Sequence, residues 1–277
     1  MPGSTLKGLE WLEDAWIGRG LTMHNALMSI HLGHVRELVR YPIKSMAGIP
    51  TESAPLGWHG LDGDRRFAFR RSGDASGFPW LTASRLPELL LYRPYGLDES
   101  SGEPLPTHVR TPSGMDLELH SAELQSEISE RCGISVELMK LRHGIFDETP
   151  VSVISTATIA GIGREAELDL DRRRFRANIV LETHDDEPFL EAGWVGGTLV
   201  FGEQEPMPAV SVTMQDMRCV IINLDPDTAR QDARVMKTVV RLNANNAGVY
   251  GTVLRTGTIR MGQRVSLVPS SRRAHER

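Results

Sequence analysis

Between residues 34 and 268 the chain is written in short runs of aliphatic and β-branched residues whose polarity alternates, cut repeatedly by Gly or Pro. Alternation with period two buries one face of a strand and wets the other, whereas a helix repeats its apolar positions every three to four residues. Strand segments are expected at 35–40, 66–71, 135–141, 151–154, 175–181, 198–201, 209–214, 248–254 and 264–268. The expected fold class is therefore mainly β: two β-barrel-like domains with a few short helices. One helix fits 121–132, where Ser121 is a cap, Leu124, Ile128 and Cys132 share a face, and Gly133 is the stop. A second begins near Ser155. The Thr149-Pro150 pair marks a domain boundary, which divides the chain into an extension (1–32), a first domain (33–148), a second domain (149–269) and a polar, basic tail (270–277) read as disordered. Trp11, Leu12 and Trp16 among acids in the extension suggest a short amphipathic helix or residues upstream of a later start.

Several function classes are excluded early. Only Cys132 and Cys219 occur, too few for a disulfide framework, a four-cysteine zinc site or an iron–sulfur cluster within one chain. A net charge of -5 argues against a general nucleic-acid binder, so a positive patch has to be local. No apolar run approaches the roughly 20 residues of a membrane span. Glu10, Glu13 and Asp14 lie where a secretory leader needs positive charge, so a cytoplasmic protein is expected. The nine histidines show no HExxH or paired ligand spacing, and no serine-hydrolase elbow is present. Gly161-Ile162-Gly163 is too short for a phosphate cradle and reads as a loop or helix stop.

The residues left over point to anions and to a thiolate. If 174–179 is a strand, Arg174, Arg176 and Asn178 share one face and Phe175, Ala177 and Ile179 the other. Two guanidinium forks side by side repel unless an anion lies between them; that anion is either a ligand phosphate or a carboxylate such as Asp169 or Asp171. Lys44 and Ser45 sit in a turn after a strand and combine a cation, a hydroxyl and free backbone amides. Arg65 and Arg66 follow the turn Gly60-Leu61-Asp62-Gly63-Asp64, and one of the two should point inward. Cys219 directly follows Arg218, whose guanidinium favours the thiolate form that ligates soft metals. The apolar Val220, Ile221 and Ile222 equally suit a buried structural thiol.

Taken in order, these stretches resemble the MOSC family, named for the C-terminal domain of molybdenum cofactor sulfurase, in the two-part form with an N-terminal MOSC-associated β-barrel. The resemblance rests on Tyr41-Pro42-Ile43-Lys44-Ser45, Gly60 to Phe67, Leu81-Thr82-Ala83-Ser84-Arg85, Arg174 to Val180, Trp194-Val195-Gly196, Arg218-Cys219, Leu224 to Thr228, Gly248-Val249-Tyr250 and Gly257-Thr258-Ile259. It implies a cofactor, Mo-molybdopterin, lying between the two domains. By position it implies Cys219 as metal ligand, with Lys44, Ser45 and Arg66 contacting anionic parts of the cofactor. Arg174, Arg176 and Asn178 would hold the pterin-phosphate side, and Arg218, Thr82, Asp147, Ser155 and Tyr250 would complete the wall. One departure stands out: three positions before the ligand many relatives carry Cys or Ser, and this chain has Asp216, which would either repel an anionic oxo group or act as an acid.

The resemblance further implies an oxidoreductase that reduces N-hydroxylated or N-oxide small molecules. Its electrons would come from a separate donor, a ferredoxin-like or flavin reductase, because the chain carries no electron-transfer motif of its own. The alternative is a cofactor carrier or sulfur-transfer module in which Cys219 holds a persulfide; a third possibility is a structural barrel with a degenerate site.

Overall fold

The computed structural model describes residues 29–98, 100, 102–142, 144 and 148–270. Asp147, the residues before 29 and the tail from 271 lie outside the described residues, so the expectations placed on them stay with the sequence.

Among the described residues, sixteen strands and three α-helices make up the architecture. The first half holds β1 (Ile30–Arg40), β2 (Ile49–Thr51), β3 (Ser53–Gly57), β4 (Gly60–Leu61), β5 (Phe67–Arg71), β6 (Arg93–Tyr95), β7 (His108–Arg110), β8 (Asp116–Glu118), α1 (Ala122–Cys132) and β9 (Val136–Lys140). The second half holds β10 (Val151–Ser155), α2 (Thr156–Ala166), β11 (Ile179–Thr183), β12 (Thr198–Phe201), β13 (Ala209–Met217), α3 (Arg234–Asn243), β14 (Asn246–Arg255), β15 (Gly257–Arg260) and β16 (Arg264–Val268).

The main sheet runs β11-β10-β14-β13-β12-β16-β1 and closes on itself because β1 also pairs with β11, giving a seven-stranded barrel. Every pairing in the ring is antiparallel except β10 with β11, which α2 connects as a crossover. The expected alternation is visible in its core: Val151 and Val153, Ile179 and Leu181, Leu199 and Phe201, Val210 and Val212, and Val265 and Leu267 all point inward at spacing two. Each such aliphatic side chain contributes about 1.5–3 kcal/mol by leaving water. The closing strand belongs to the first half of the sequence, so the barrel is assembled across residue 149.

The remaining strands of the first half form a β5–β9 pair and a β6-β7-β8 meander around their own core of Ile43, Phe67, Phe69, Leu81, Leu89, Tyr92, Leu105 and Ile128. The third sheet, β15-β3-β4, ties the two halves together. On the far side of the barrel α2 and α3 pack over Ile154, Phe175, Val180 and Ile222.

Local signals account for two helices. Ser121 accepts a hydrogen bond from the Leu124 amide and Gly133 takes the left-handed conformation that ends α1. Ser155 accepts from the Thr158 amide and starts α2. Gly161 and Gly163, expected in a loop or at a helix stop, lie inside α2, where Pro188 and Leu170 press against the positions a Cβ would take. No helix among the described residues is long and apolar enough to cross a membrane.

Candidate functional site

The site forms where β1 ends. Pro42 to Ser45 leave the strand and lie along the start of β5: Lys44 N–H donates to Phe67 O at 2.8 Å and Phe67 N–H to Pro42 O at 2.9 Å. The segment turns at Ser45, whose φ is 66°. Lys44 and Ser45 are consequently held in a buried wall, only 8% and 5% exposed. A lysine this enclosed needs a counter-charge or π face; its Nζ lies 5.7 Å from the Phe78 ring.

Arg65 is the inward member of the Arg65-Arg66 pair. Strand β5 begins only at Phe67, and Arg65 sits in a left-handed turn at φ 47°, so the strand-alternation argument does not govern it. Its guanidinium pairs with Asp64 and donates to Asn178 Oδ1 at 3.1 Å. Arg66, expected at the cofactor, instead turns to the other side, pairing with Glu103 and donating to Leu141 O at 2.9 Å.

The arginine strand expected at 174–179 does not exist as such. Asp171 accepts from the Arg173 amide and caps a 3₁₀ turn over Arg172–Phe175, Arg176 takes the left-handed conformation at φ 51°, and β11 starts at Ile179. Arg174 and Arg176 therefore leave the backbone in a turn. Arg174 donates to Asn223 O and Asp225 Oδ2, both at 2.9 Å. Arg176 donates to Met46 O at 2.7 Å and lies 4.3 Å over the Tyr41 ring. Asn178 is fully buried as a bracket: its Oδ1 accepts from Arg65 and from the Ser152 amide at 3.2 Å, and its Nδ2 donates to Val39 O at 3.2 Å. Asn178 thus acts on the site through Arg65 and Ser152.

From the second half come Asp216, Arg218 and Cys219. Asp216 is 1% exposed, accepts from Ser152 Oγ at 2.8 Å and pairs with Arg218 at 2.8 Å. Arg218 also donates to Ala247 O and Phe175 O, each at 2.7 Å. Its guanidinium points into the protein rather than toward the thiol of its neighbour, and the Asp216 charge is neutralised inside. Gly248 makes room for this pair: at φ 81°, a Cβ there would stand 2.5 Å from Val153 O and 3.2 Å from Arg218 Nη2. Cys219, by contrast, is an exposed free thiol at the start of the 3₁₀ turn Val220–Asn223.

Lys44, Ser45, Arg65, Thr82, Arg176, Asp216, Arg218, Cys219 and Tyr250 all line one cavity of about 350 Å³. Ser152, Phe78 and Ser84 line it too and were not singled out in the sequence; Ser152 is reached only through the β10–β14 register that sets it opposite Tyr250. Ser155, expected in the wall, is spent as the α2 cap, and its amide donates to Glu191 Oε1 at 2.7 Å. A second recess of about 420 Å³ shares Arg176 and Ile221 with the first and is lined by Arg172, Arg173 and Arg174. Cys132 has no part in either; its Sγ lies 3.2 Å from Ile134 O at the end of α1.

The chain is mainly β and in two parts, and buried cations from the first share one cavity with an exposed thiol from the second. The chain belongs to the MOSC family: the MOSC N-terminal beta barrel domain matches residues 32–139 and the MOSC domain matches residues 140–266. That family is associated with the molybdenum cofactor. No curated protein matches the chain. Among solved structures it is similar to the YuaD protein from Bacillus subtilis, at 12% identity and a TM-score of 0.47 over 86% of this chain and 96% of that one. It is also similar to YiiM from Geobacillus stearothermophilus, at 15% identity and a TM-score of 0.31 over 43% of this chain and 54% of that one. A third similar structure, described as a hypothetical protein, gives 12% identity and a TM-score of 0.41 over 87% and 70%.

Proposed function

We propose that the protein is a cytoplasmic, molybdenum-cofactor-dependent oxidoreductase that reduces N-hydroxylated or N-oxide small molecules. The observation that carries this reading is the shared cavity: Cys219 presents a thiol to the same space that Lys44, Arg65 and Arg176 line with positive charge. This donor set suits Mo-molybdopterin, which needs a soft ligand for its metal and cationic hydrogen-bond donors for its phosphate. The cavity is also at the small end of the range of cofactor sites, about 300–1,000 Å³.

Cys219 would ligate the metal, and Lys44, Ser45, Arg65 and Arg176 would hold the anionic parts. When bound, the cofactor would accept an oxygen atom and supply two electrons. The chain's own residues orient it and shape the substrate's approach: Asp216, locked to Arg218 and Ser152, fixes the backbone from which Cys219 projects. In the net reaction the N–O bond breaks, two electrons and two protons are consumed, and water leaves with the reduced nitrogen compound. The electrons come from a separate ferredoxin-like or flavin-containing reductase.

The exposure of Cys219 also favours a second reading, a sulfur-transfer module. There the Cys219 thiolate would attack the terminal sulfur of a donor persulfide, taking that sulfur and releasing the donor as a thiol.

To test the first reading, the chain is purified from cofactor-competent cells, and its molybdenum and pterin are measured for wild type and Cys219→Ser. Reduction of an amidoxime is then followed with an artificial reductant. Wild type is expected to carry about one cofactor and to turn over, and Cys219→Ser to lose turnover. Wild type without metal or pterin sinks the oxidoreductase reading. A sulfane sulfur on Cys219 with no turnover favours the transfer module.

A further inference from the structure

Away from the cavity, three histidines meet at the seam where the barrel closes. His31 and His34 lie on β1, and His184 follows the last residue of β11. In a regular strand, residues three apart face opposite ways. Here they do not. Against β16, His31 pairs with Ser266 and Gly33 with Val265, so one extra residue is accommodated between them and the alternation flips. The bulge depends on Gly33, whose φ is 147° and where a Cβ would stand 2.0 Å from Glu182 O. The His184 amide donates to Leu32 O at 2.9 Å, which sets the third ring beside the first two.

The three imidazoles then stand edge-on, with ring centroids 4.3, 5.3 and 5.8 Å apart. One nitrogen from each lies within 4.8 Å of the others, and His31 Nδ1 is 3.0 Å from His184 Nε2. Tetrahedral zinc with nitrogen ligands at about 2.0–2.1 Å holds those nitrogens about 3.3 Å apart, so a small rotation of the exposed His34 ring completes the triangle. His31 also carries the support that metal-ligating histidines need, because its Nε2 lies 3.2 Å from Gly33 O. A proton on Nε2 leaves Nδ1 as the donor atom toward the other two rings.

We propose that His31, His34 and His184 form a binding site for a divalent metal of the zinc type, its remaining position open to water. The site would pin the first turn of β1 to the chain leaving β11, across the pairing that closes the barrel. Three neutral imidazoles match zinc, nickel or copper and not calcium or magnesium, which require oxygen ligands. One cation lies nearby, Arg264, which pairs with His34 across β1 and β16. Arg264 is itself engaged by Glu203 at 2.6 Å, which lessens its repulsion of a cation. The seam lies at the opposite end of β1 from Lys44: the seven residues from His34 to Arg40 alone span about 20 Å of strand. The inference is thus independent of the proposed function.

The test uses the full chain as Cys219→Ser, stripped with a chelator, so that the thiol cannot compete. Zn²⁺ alone is titrated by calorimetry, and Co²⁺ alone is followed by its visible absorption. One equivalent of Zn²⁺ should bind, and the unfolding temperature should rise with the logarithm of its free concentration once the site is saturated. His34→Ala and His184→Ala, both at exposed positions, should keep the metal-free unfolding temperature and weaken Zn²⁺ binding at least about tenfold. No uptake by the starting chain, or uptake unchanged in both histidine variants, overturns the site.

Discussion

The Arg176 guanidinium lies 4.3 Å over the ring of Tyr41, and this stack joins the two halves of the protein at the edge of the cavity. Arg176 belongs to the turn before β11, Tyr41 to the exit of β1, and Arg176 also donates to Met46 O at 2.7 Å. A planar cation over a buried aromatic contributes up to about 2 kcal/mol, and a charge-assisted hydrogen bond about 1.5–3 kcal/mol. Arg176→Lys keeps the charge and loses the plane. It is expected to lower unfolding stability by about 1–3 kcal/mol in urea titration, and no loss would show the stack to be incidental.

Tyr41 gives this edge an alkaline limit. Burial pushes its phenol up to about 12, against the opposing pull of Arg176 and Arg65 and with small upward contributions from Asp64 and Glu37. A phenol whose folded pKa exceeds its unfolded value favours the folded state fully below the unfolded value, about 10. That contribution is lost as pH rises from 10 toward 12, because the unfolded chain sheds the proton first. Tyr41→Phe should therefore flatten the decline in stability between about pH 10 and 12, by up to roughly 2–3 kcal/mol relative to wild type. Parallel curves for the two proteins would remove the assignment. The difference between them is the readout because Tyr92, also pushed up by burial and by Glu127, contributes to both.

The buried ion pair of Asp216 and Arg218 predicts a sharp asymmetry between substitutions. Asp216→Ala leaves Arg218 charged and buried and should cost about 3–5 kcal/mol in denaturant titration. Asp216→Asn preserves an oxygen for Ser152 and Arg218 and should cost clearly less. Equal effects would mean that the carboxylate charge contributes nothing to holding the Cys219 segment.

These relationships mark the limit of what the sequence discloses. Signals that act within one turn are legible: Ser121 and Gly133 bound α1, Ser155 begins α2, and the paired valines of β10 and β13 reveal the barrel wall. Helix α3 escaped because Ala233 stands at its cap and the capping oxygen is the Asp232 carboxylate one residue earlier, which bonds the Arg234 amide. Arg174 and Arg176 imitate an alternating strand, but Asp171 gathers the Arg173 amide and nucleates a turn, a competition that residue spacing does not decide. The histidine cluster was invisible for another reason. Its members are separated by some 150 residues, and only the Gly33 bulge and the β1–β11 pairing bring them together.

Gly248 is where the barrel and the site constrain each other. At φ 81°, with Val153 O 2.5 Å from the position of a Cβ, Gly248→Ala should force β14 away from β10. Ser152 and Tyr250, paired across those strands, would shift together. A destabilisation above about 2 kcal/mol is expected in thermal unfolding. Near-neutral behaviour would show that the strand pair can yield.

The placement of Arg65 and Arg66 separates the cavity described here from the one that sequence position alone implies. Arg65 lines the cavity, held between Asp64 and Asn178, whereas Arg66 turns to Glu103 and the Leu141 carbonyl. If the anionic part of a cofactor is held by Lys44 and Arg65, then Lys44→Ala and Arg65→Lys should each weaken its retention by about 1.5–3 kcal/mol, roughly 10- to 150-fold. Arg66→Ala should leave retention unchanged, since its guanidinium serves a contact on the other side of the Asp64 turn. The measurement is pterin remaining per chain after extended dialysis, with unfolding temperature followed in parallel to separate lost binding from lost structure. If Arg66→Ala alone released the cofactor, the anion would lie on the Glu103 side and the cavity assignment would be wrong.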